Sequence, residues 1–273
     1  MPFTDEQIKL ACELNKDGLE WFRICDLLNI PKEEKERLRS ACRRSDKYKS
    51  GVALAFGCVH IPFTHENFYE FLYDTAVKYH CDKIICVGDL IDHHDLSRHD
   101  SEPDSESAER EWHMAMESLE RLKTIFPEMD ITLGNHDLIP RRQAAKFRLS
   151  DRYVKSLAEA YSFPSTWTVQ EELIYNDVIY AHGIGGGGKT PALNHALKNR
   201  ASSVIAHWHS CGGINYQNNG INEIFGLSVG CGIDKDSYAM RYGKSSMNKV
   251  ILGCGIIKDS ENAEFVRMPN RYR

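Results

Sequence analysis

Over residues 4 to 44 the apolar positions fall near helical spacing: Ile8, Ala11 and Leu14, then Trp21, Phe22, Ile24, Cys25, Leu27 and Leu28, and later Leu38 and Cys42. Three short helices fit this pattern. Thr4 stands three residues before Gln7 as in a capping box, Asp17-Gly18 closes the first helix, and Pro31 opens the third.

From residue 52 the texture changes. Short apolar runs, VALAFG, KIICVG and DITLG, alternate with helical patterns over about 65–80 and 106–126, which predicts a layered α/β arrangement. Past residue 165 the chain becomes strand-rich: TWTV, ELIYN, VIYAHG, a helix near 190–199, SVIAH, then GINYQ and NEIFGLSVG around an Asn-Asn-Gly turn, and KVILGCGII before the tail. Two packed sheets with helices outside are expected. The stretch Asp89 to Glu111 holds nine acids against two arginines and reads as an exposed loop entering a helix.

With 273 residues, 42% of them hydrophobic, the chain has apolar material for one large domain and an appendage, so a disordered or peptide-sized protein is excluded. We divide it into a helical module, 1–48, and a main domain, 49–273. The net charge of -5 gives no general pull toward polyanions, but residues 31–50 carry eight lysines and arginines against four acids. LEWFRICDLLNIPKEEKERLRSACRR resembles a helix-turn-helix module, which makes DNA or RNA an expected partner; an ordinary solvated helical appendage is the alternative. Nine scattered cysteines form no C-x-x-C pair, and neither a leader-like start nor a membrane-length apolar run is present, so a reducing, cytoplasmic setting without membrane contact is expected.

The candidate chemistry gathers where the apolar runs end. VALAFG is followed by Cys58-Val-His60, KIICVG by Asp89-Leu-Ile-Asp92, DITLG by Asn135-His136-Asp137, VIYA by His182-Gly183, and SVIA by His207-Trp-His209. Ligands collect at the carboxyl ends of strands in open α/β sheets. His65, His80, His113 and His195 read as surface or packing residues.

These five ordered blocks resemble the calcineurin-like metallophosphoesterases, whose pattern is D-x-H, G-D-x-x-D, G-N-H-D/E, H and G-H-x-H; the likeness spans about residues 52–257. GDLIDHHDLSRHD and the glycine-rich block after His182 look most like phage and prophage-type members, which would place the protein in a host cytoplasm. The resemblance implies a sandwich of two mixed sheets flanked by helices. It also implies one or two divalent transition metals, zinc, iron or manganese, with Asp89 bridging, one ion on Cys58, His60 and His209 and the other on Asn135, His182 and His207. It implies hydrolysis of a phosphoester, a diester such as nucleic acid or nucleotide before a monoester, by a metal-bound hydroxide. His136 would assist the leaving group, and Asp137 or Asp92 would orient it.

Three features depart from that pattern. Cys58 stands where the family has aspartate, as in the G-C-x-H of RNA lariat debranching enzymes; a thiolate favours zinc or iron over harder ions, and the competing reading is a weakened metal site on a DNA-binding or scaffold protein. His93 and His94 replace the arginine that often ends the second block, and Ala206 replaces a glycine. Finally, Gly183 to Thr190, GIGGGGKT, matches the P-loop pattern of an ATPase, but only 83 residues follow it and the best Walker-B-like run, IICVGD, precedes it. We therefore expect Gly186, Gly187, Gly188 and Lys189 to bind a substrate phosphate beside the metals.

Overall fold

The computed structural model describes residues 3–16, 19–35, 37–38, 41–42, 51–97, 106–218, 223–237 and 249–272. It divides into two compact units, Met1–Ser50 and Gly51–Arg273.

In the smaller unit, helices α1 (Asp5–Lys16) and α2 (Trp21–Leu27) are followed by a 3-10 turn at Lys32–Glu34. The expected capping box is formed: Gln7 N donates to Thr4 Oγ1 at 3.2 Å, and Thr4 N donates to Gln7 Oε1 at 3.0 Å. Ala11, Ile24, Cys25, Leu38 and Cys42 make a small core of their own. The Asp17-Gly18 break, and most of the third helix and basic segment, from Arg39 onward apart from Ala41 and Cys42, lie outside the described residues.

The larger unit is built from strands that read as apolar runs because both faces are covered. β1 (Val52–Phe56), β2 (Cys81–Val87), β3 (Met129–Thr132) and β4 (Trp167–Gln170) run parallel in the order 1-2-3-4. β10 (Gly253–Ile257) and β11 (Ala263–Arg267) extend this sheet antiparallel beyond β1. The second sheet has the order β5-β6-β7-β9-β8, from β5 (Leu173–Tyr175), β6 (Val178–Ala181), β7 (Ser203–Ile205), β9 (Glu223–Val229) and β8 (Gly212–Asn218); β6, β7 and β9 are parallel and the outer strands antiparallel. Leu54, Phe56, Ile85 and Ile256 of the first sheet share one core with Tyr180, Val204, Phe225 and Leu227 of the second, so the sheets pack as a sandwich.

Helices α3 (Phe68–Tyr79), α4 (Ala108–Ile125), α5 (Ile139–Lys146), α6 (Leu157–Ala160) and α7 (Pro191–Asn199) complete the unit. The sequence reading did not anticipate α5, α6 or β11. It also expected Asp89–Glu111 to be exposed, whereas Asp89, Leu90, Ile91, Asp92, His93, His94 and Glu111 are buried; residues 98–105 and the Asn-Gly part of the turn near 220 lie outside the described residues. All nine cysteines are free of disulfides, and no helix among the described residues is long and apolar enough to cross a membrane.

Candidate metal centre

The carboxyl ends of β1, β2, β3, β6 and β7 open onto one place, and the backbone there is unusual. Cys58, His60, Asp89, His93 and His207 all adopt positive φ, 47° to 65°, although none is glycine. A non-glycine residue in that region costs about 1–3 kcal/mol and persists only where its surroundings fix it. Here they do: Cys58 N donates to Gly88 O at 2.9 Å, His60 N to Asp89 O at 3.0 Å, and Asp92 N to Ile61 O at 3.0 Å, zipping the turns after β1 and β2 together.

Glycine is required where these turns touch. A Cβ on Gly134 would lie 2.1 Å from Asp89 Oδ1, and one on Gly88, at φ +86°, 2.6 Å from His182 Nδ1. The absence of these two side chains lets Asn135, Asp89 and His182 meet.

Asp89 holds the middle. Its Oδ1 accepts from His136 N at 2.7 Å, while Oδ2 lies 3.0 Å from His182 Nε2 and 3.8 Å from His60 Nε2. Burial would raise this carboxyl, but the His182 imidazole reverses the shift and holds it well below the usual carboxylate range. His182 Nδ1 donates to Val87 O at 3.0 Å, which turns Nε2 toward Asp89, Asn135 Oδ1 at 3.1 Å and His207 Nδ1 at 3.1 Å. On the other side His60 Nε2 stands 3.0 Å from His209 Nε2. Burial pulls His209 down to about 3 and also lowers His207, keeping both as neutral rings suited to metals.

Cys58 is fully buried, and its Sγ accepts from His207 N at 3.0 Å. Burial, with the Asp89 charge adding to it, pushes its thiol well above the ordinary value, so ligation would displace a proton. Among the described residues three sets of donor atoms, those of each set within 4.8 Å of one another, are brought together: Cys58, His60 and His209; Cys58, Asp89 and His182; His60, Asp92 and His136. Sulfur, imidazole nitrogen and carboxylate oxygen converging on one place are the donor chemistry of a divalent transition-metal site, and these residues fit one. His65, His80, His113 and His195 belong to none of the three sets.

The two carboxylates expected beside His136 have different places. Asp92 touches it: His136 Nδ1 donates to Asp92 O at 2.7 Å and lies 3.1 Å from Oδ1, which also accepts from His60 Nδ1 at 2.5 Å. Asp137 instead accepts from the backbone N–H groups of Asp89 and Gly134, both at 2.8 Å, and Ile91 at 3.0 Å. Of the two carboxylates expected to orient His136, Asp92 is therefore the one that contacts its ring, and Asp137 is corrected to a partner of the backbone. Three N–H groups converge behind the strand ends, and this carboxylate satisfies them.

His136 is the most open of the histidines bonded to Asp92, with 18% of its side chain exposed against 2% for His60. Burial works against its protonation, but the Asp92 and Asp89 carboxylates outweigh it and lift the ring to about 9. His93, in the place of the family's arginine, is a buried strut: Nδ1 donates to His136 O at 3.0 Å and Nε2 accepts from Tyr161 Oη at 3.0 Å. Burial pulls it down to about 4.

The glycine-rich loop reaches the centre only at its beginning. His182 opens it, and the ideal Cβ position of Gly186 is 3.6 Å from Trp208 Nε1, between His207 and His209 in the chain. Gly186 N is spent on Gly183 O at 3.1 Å, Asn194 Nδ2 donates to Gly187 O at 2.6 Å, and Gly188 and Lys189 are exposed. The loop's hydrogen bonds therefore turn inward on the loop and onto α7. Sequence reasoning missed Tyr161, Glu111, Arg142 and Lys146 near the site; the last two sit on α5, whose polar sequence carries no apolar stripe.

A family model described as calcineurin-like phosphoesterase matches residues 52–226. No curated protein matches the chain. Among solved structures, a metallophosphoesterase from Sphaerobacter thermophilus is 15% identical with a TM-score of 0.43, covering 81% of this chain and 89% of its own. Vacuolar Protein Sorting 29 from Cryptosporidium parvum is 12% identical at 0.41, covering 81% and 98%. The nuclease MPE from Pseudomonas putida is 15% identical at 0.33, covering 57% and 61%.

Proposed function

The chain belongs to the calcineurin-like phosphoesterase family, and from that premise we propose that its divalent-metal centre hydrolyses a phosphodiester of a nucleotide or nucleic acid. The observation that carries the reading is the Asp89–Asp92–His136 arrangement, which sets a partly open imidazole, held through Nδ1 by Asp92, beside the clustered donor atoms.

Cys58, His60 and His209 would hold one ion, Asn135, His182 and His207 another, with Asp89 Oδ2 directed toward both His60 and His182. A divalent metal there supplies Lewis-acid polarisation of phosphoryl oxygens and activates water at neutral pH. Asp92 fixes the tautomer and angle of His60 through Nδ1 and leaves Nε2 for the centre. The same carboxylate and its backbone oxygen occupy His136 Nδ1, so His136 Nε2–H is the donor available to the departing oxygen. Asp137 keeps Asp89 and Gly134 in register. His93 and Tyr161 brace the His136 backbone from behind. Lys189 and Gly186 to Gly188 are the proposed contact for a substrate phosphate.

The presence of Cys58 in two of the three donor sets supports a ligand in place of the missing aspartate over a lost site on a scaffold protein. The test is hydrolysis of bis-p-nitrophenyl phosphate and p-nitrophenyl phosphate after loading with zinc, iron or manganese. Faster turnover of the diester is expected. Hydrolysis of the monoester alone would overturn the diesterase reading, and no hydrolysis with any metal would overturn the enzyme.

A further inference from the structure

Residues 141–155, α5 and the turn after it, contain six lysines and arginines, 141, 142, 146, 148, 152 and 155, against the single acid Asp151. All six cations are exposed. On a chain of net charge -5 this is a local reversal of sign. Asp151 is engaged inside the segment, where its carboxylate accepts from Arg141 Nε at 3.0 Å and Nη2 at 2.6 Å.

Two aromatic rings stand among these cations in solvent, Phe147 at 78% and Tyr153 at 80% exposure, in a unit whose Phe56, Phe68, Phe71 and Phe225 are enclosed. The segment is also continuous with the metal centre. Arg142 and Lys146, four residues apart on one face of α5, line an open cavity of about 320 Å³ together with Asn135, His136 and Gln143. Arg142 Nη1 donates to Asn135 O at 3.4 Å, Lys146 Nζ donates to Gln143 Oε1 at 2.6 Å, and Gln143 Nε2 anchors the helix on Leu96 O.

We propose that residues 141–155 form a binding platform for single-stranded nucleic acid, with Arg142 and Lys146 holding the phosphate next to the scissile one and Phe147 and Tyr153 stacking unpaired bases. The proposal rests on the phosphodiester reading above and names its substrate class. Phosphates of any sequence attract the cations with release of counterions. Exposed rings offer a stacking surface that every unpaired base fits, and a duplex hides those base faces. An anionic bilayer would use the cations and rings but would leave the cavity shared with His136 without a role; a strand uses both.

The test is fluorescence anisotropy of a labelled mixed-sequence single strand on the full chain, with metal chelated so that the strand is bound and not cut. F147A and Y153A should each raise Kd roughly 5- to 150-fold. R142A/K146A should reduce the slope of log affinity against log salt by about 0.7 for each phosphate left without its cation, about 1.4 for the pair. R142Q/K146Q retains side-chain volume if the alanine pair lowers Tm. A Kd and a salt slope unchanged in all these variants would overturn the platform, as would a duplex bound as tightly as the single strand. So would sedimentation with phosphatidylserine vesicles through these residues without strand binding. Hydrolysis of bis-p-nitrophenyl phosphate by the unsubstituted chain reads the reaction separately. If the diester is cleaved while strand binding ignores the substitutions, the platform alone fails. If strand binding responds while no diester is cleaved, the phosphodiester reading alone fails.

Discussion

Replacing Glu111 by glutamine should change the way the larger unit's stability depends on pH. Glu111 lies one turn into α4, only 4% exposed, and reaches back to accept from His94 N at 2.8 Å and Asp95 N at 3.0 Å. It thus ties α4 to the turn that carries Asp92 and His93. Burial lifts its carboxyl from 4.5 to about 7, against the two backbone hydrogen bonds that favour the charged form.

The sign follows from proton counting. Between pH 4.5 and 7 the folded protein keeps a proton that the unfolded chain has released, so this group's contribution is complete below about 4.5 and is lost as pH rises through about 7. At about 1.36 kcal/mol per pH unit, unfolding free energy falls by about 3 kcal/mol over the interval on account of this residue. Glutamine exchanges no proton and lacks that slope. It also turns an amide N–H₂ toward a backbone N–H, an offset of about 1–3 kcal/mol that does not vary with pH. The observable is therefore the difference between the two proteins across pH, and all their shared titrations cancel in it. Urea unfolding in a chelator, followed by near-ultraviolet circular dichroism from pH 4.5 to 7.5, should show E111Q gaining about 3 kcal/mol relative to the unsubstituted chain. Parallel curves would refute the reasoning and show that the two N–H bonds keep Glu111 ionised in the fold.

Cys58→Asp should move metal preference from zinc toward manganese when both are offered equally, because a hard oxygen replaces the sulfur; metal content and preference identical to those of the unsubstituted chain, measured by mass spectrometry, would remove Cys58 from the donor set. Asp92→Asn should reduce diester hydrolysis about 10- to 100-fold by releasing both His60 and His136, and full activity would disprove its positioning role. Zinc at about 1,000 times its Kd should stabilise the metal-free protein by about 4 kcal/mol, so a Tm indifferent to zinc would contradict a metal centre formed by the fold. Gly226→Ala should cost about 1–3 kcal/mol or more, since its Cβ would lie 2.1 Å from Leu193 N at the start of α7; an unchanged Tm would mean that α7 moves away freely.

The strands and the residue types at their ends were legible because parallel strands buried on both faces are written as unbroken apolar runs, and the polar residue that follows each run marks its carboxyl end. IICV followed by Gly-Asp, and ITL followed by Gly-Asn-His, needed only that logic. Helix α5 was not legible by it. Arg141, Arg142, Gln143 and Lys146 leave no apolar stripe, and the helix is held by Pro140 near its start, by Ala144-Ala145, and by the Gln143 bond to Leu96 O, a partner 47 residues away in sequence. β11 is short and half-exposed, defined by its register with β10 and by little in its own sequence. The basic run at 31–50 follows a clear helical pattern, while the basic run at 141–155, which adjoins the site, is interleaved with Phe147, Leu149 and Tyr153 and reads locally as neither helix face nor linker.

Direction was the harder quantity. Asp92 and Asp137 are two carboxylates close in pattern to one histidine, His136, and nothing in their spacing distinguishes which faces it. The answer is set by backbone conformation: Asp89 at φ 51° and His93 at φ 54° curl the second turn so that Asp92 points into the centre. The N–H groups of Asp89, Ile91 and Gly134 converge on the far side, where only an acceptor of several hydrogen bonds can be buried without leaving donors unpaired. Asp137 fills that requirement, with both of its carboxylate oxygens engaged by backbone donors. The same reasoning separates His93 from His136. His93 spends both ring nitrogens on His136 O and Tyr161, whereas His136 spends Nδ1 on Asp92 and keeps Nε2 for the cavity that Arg142 and Lys146 line.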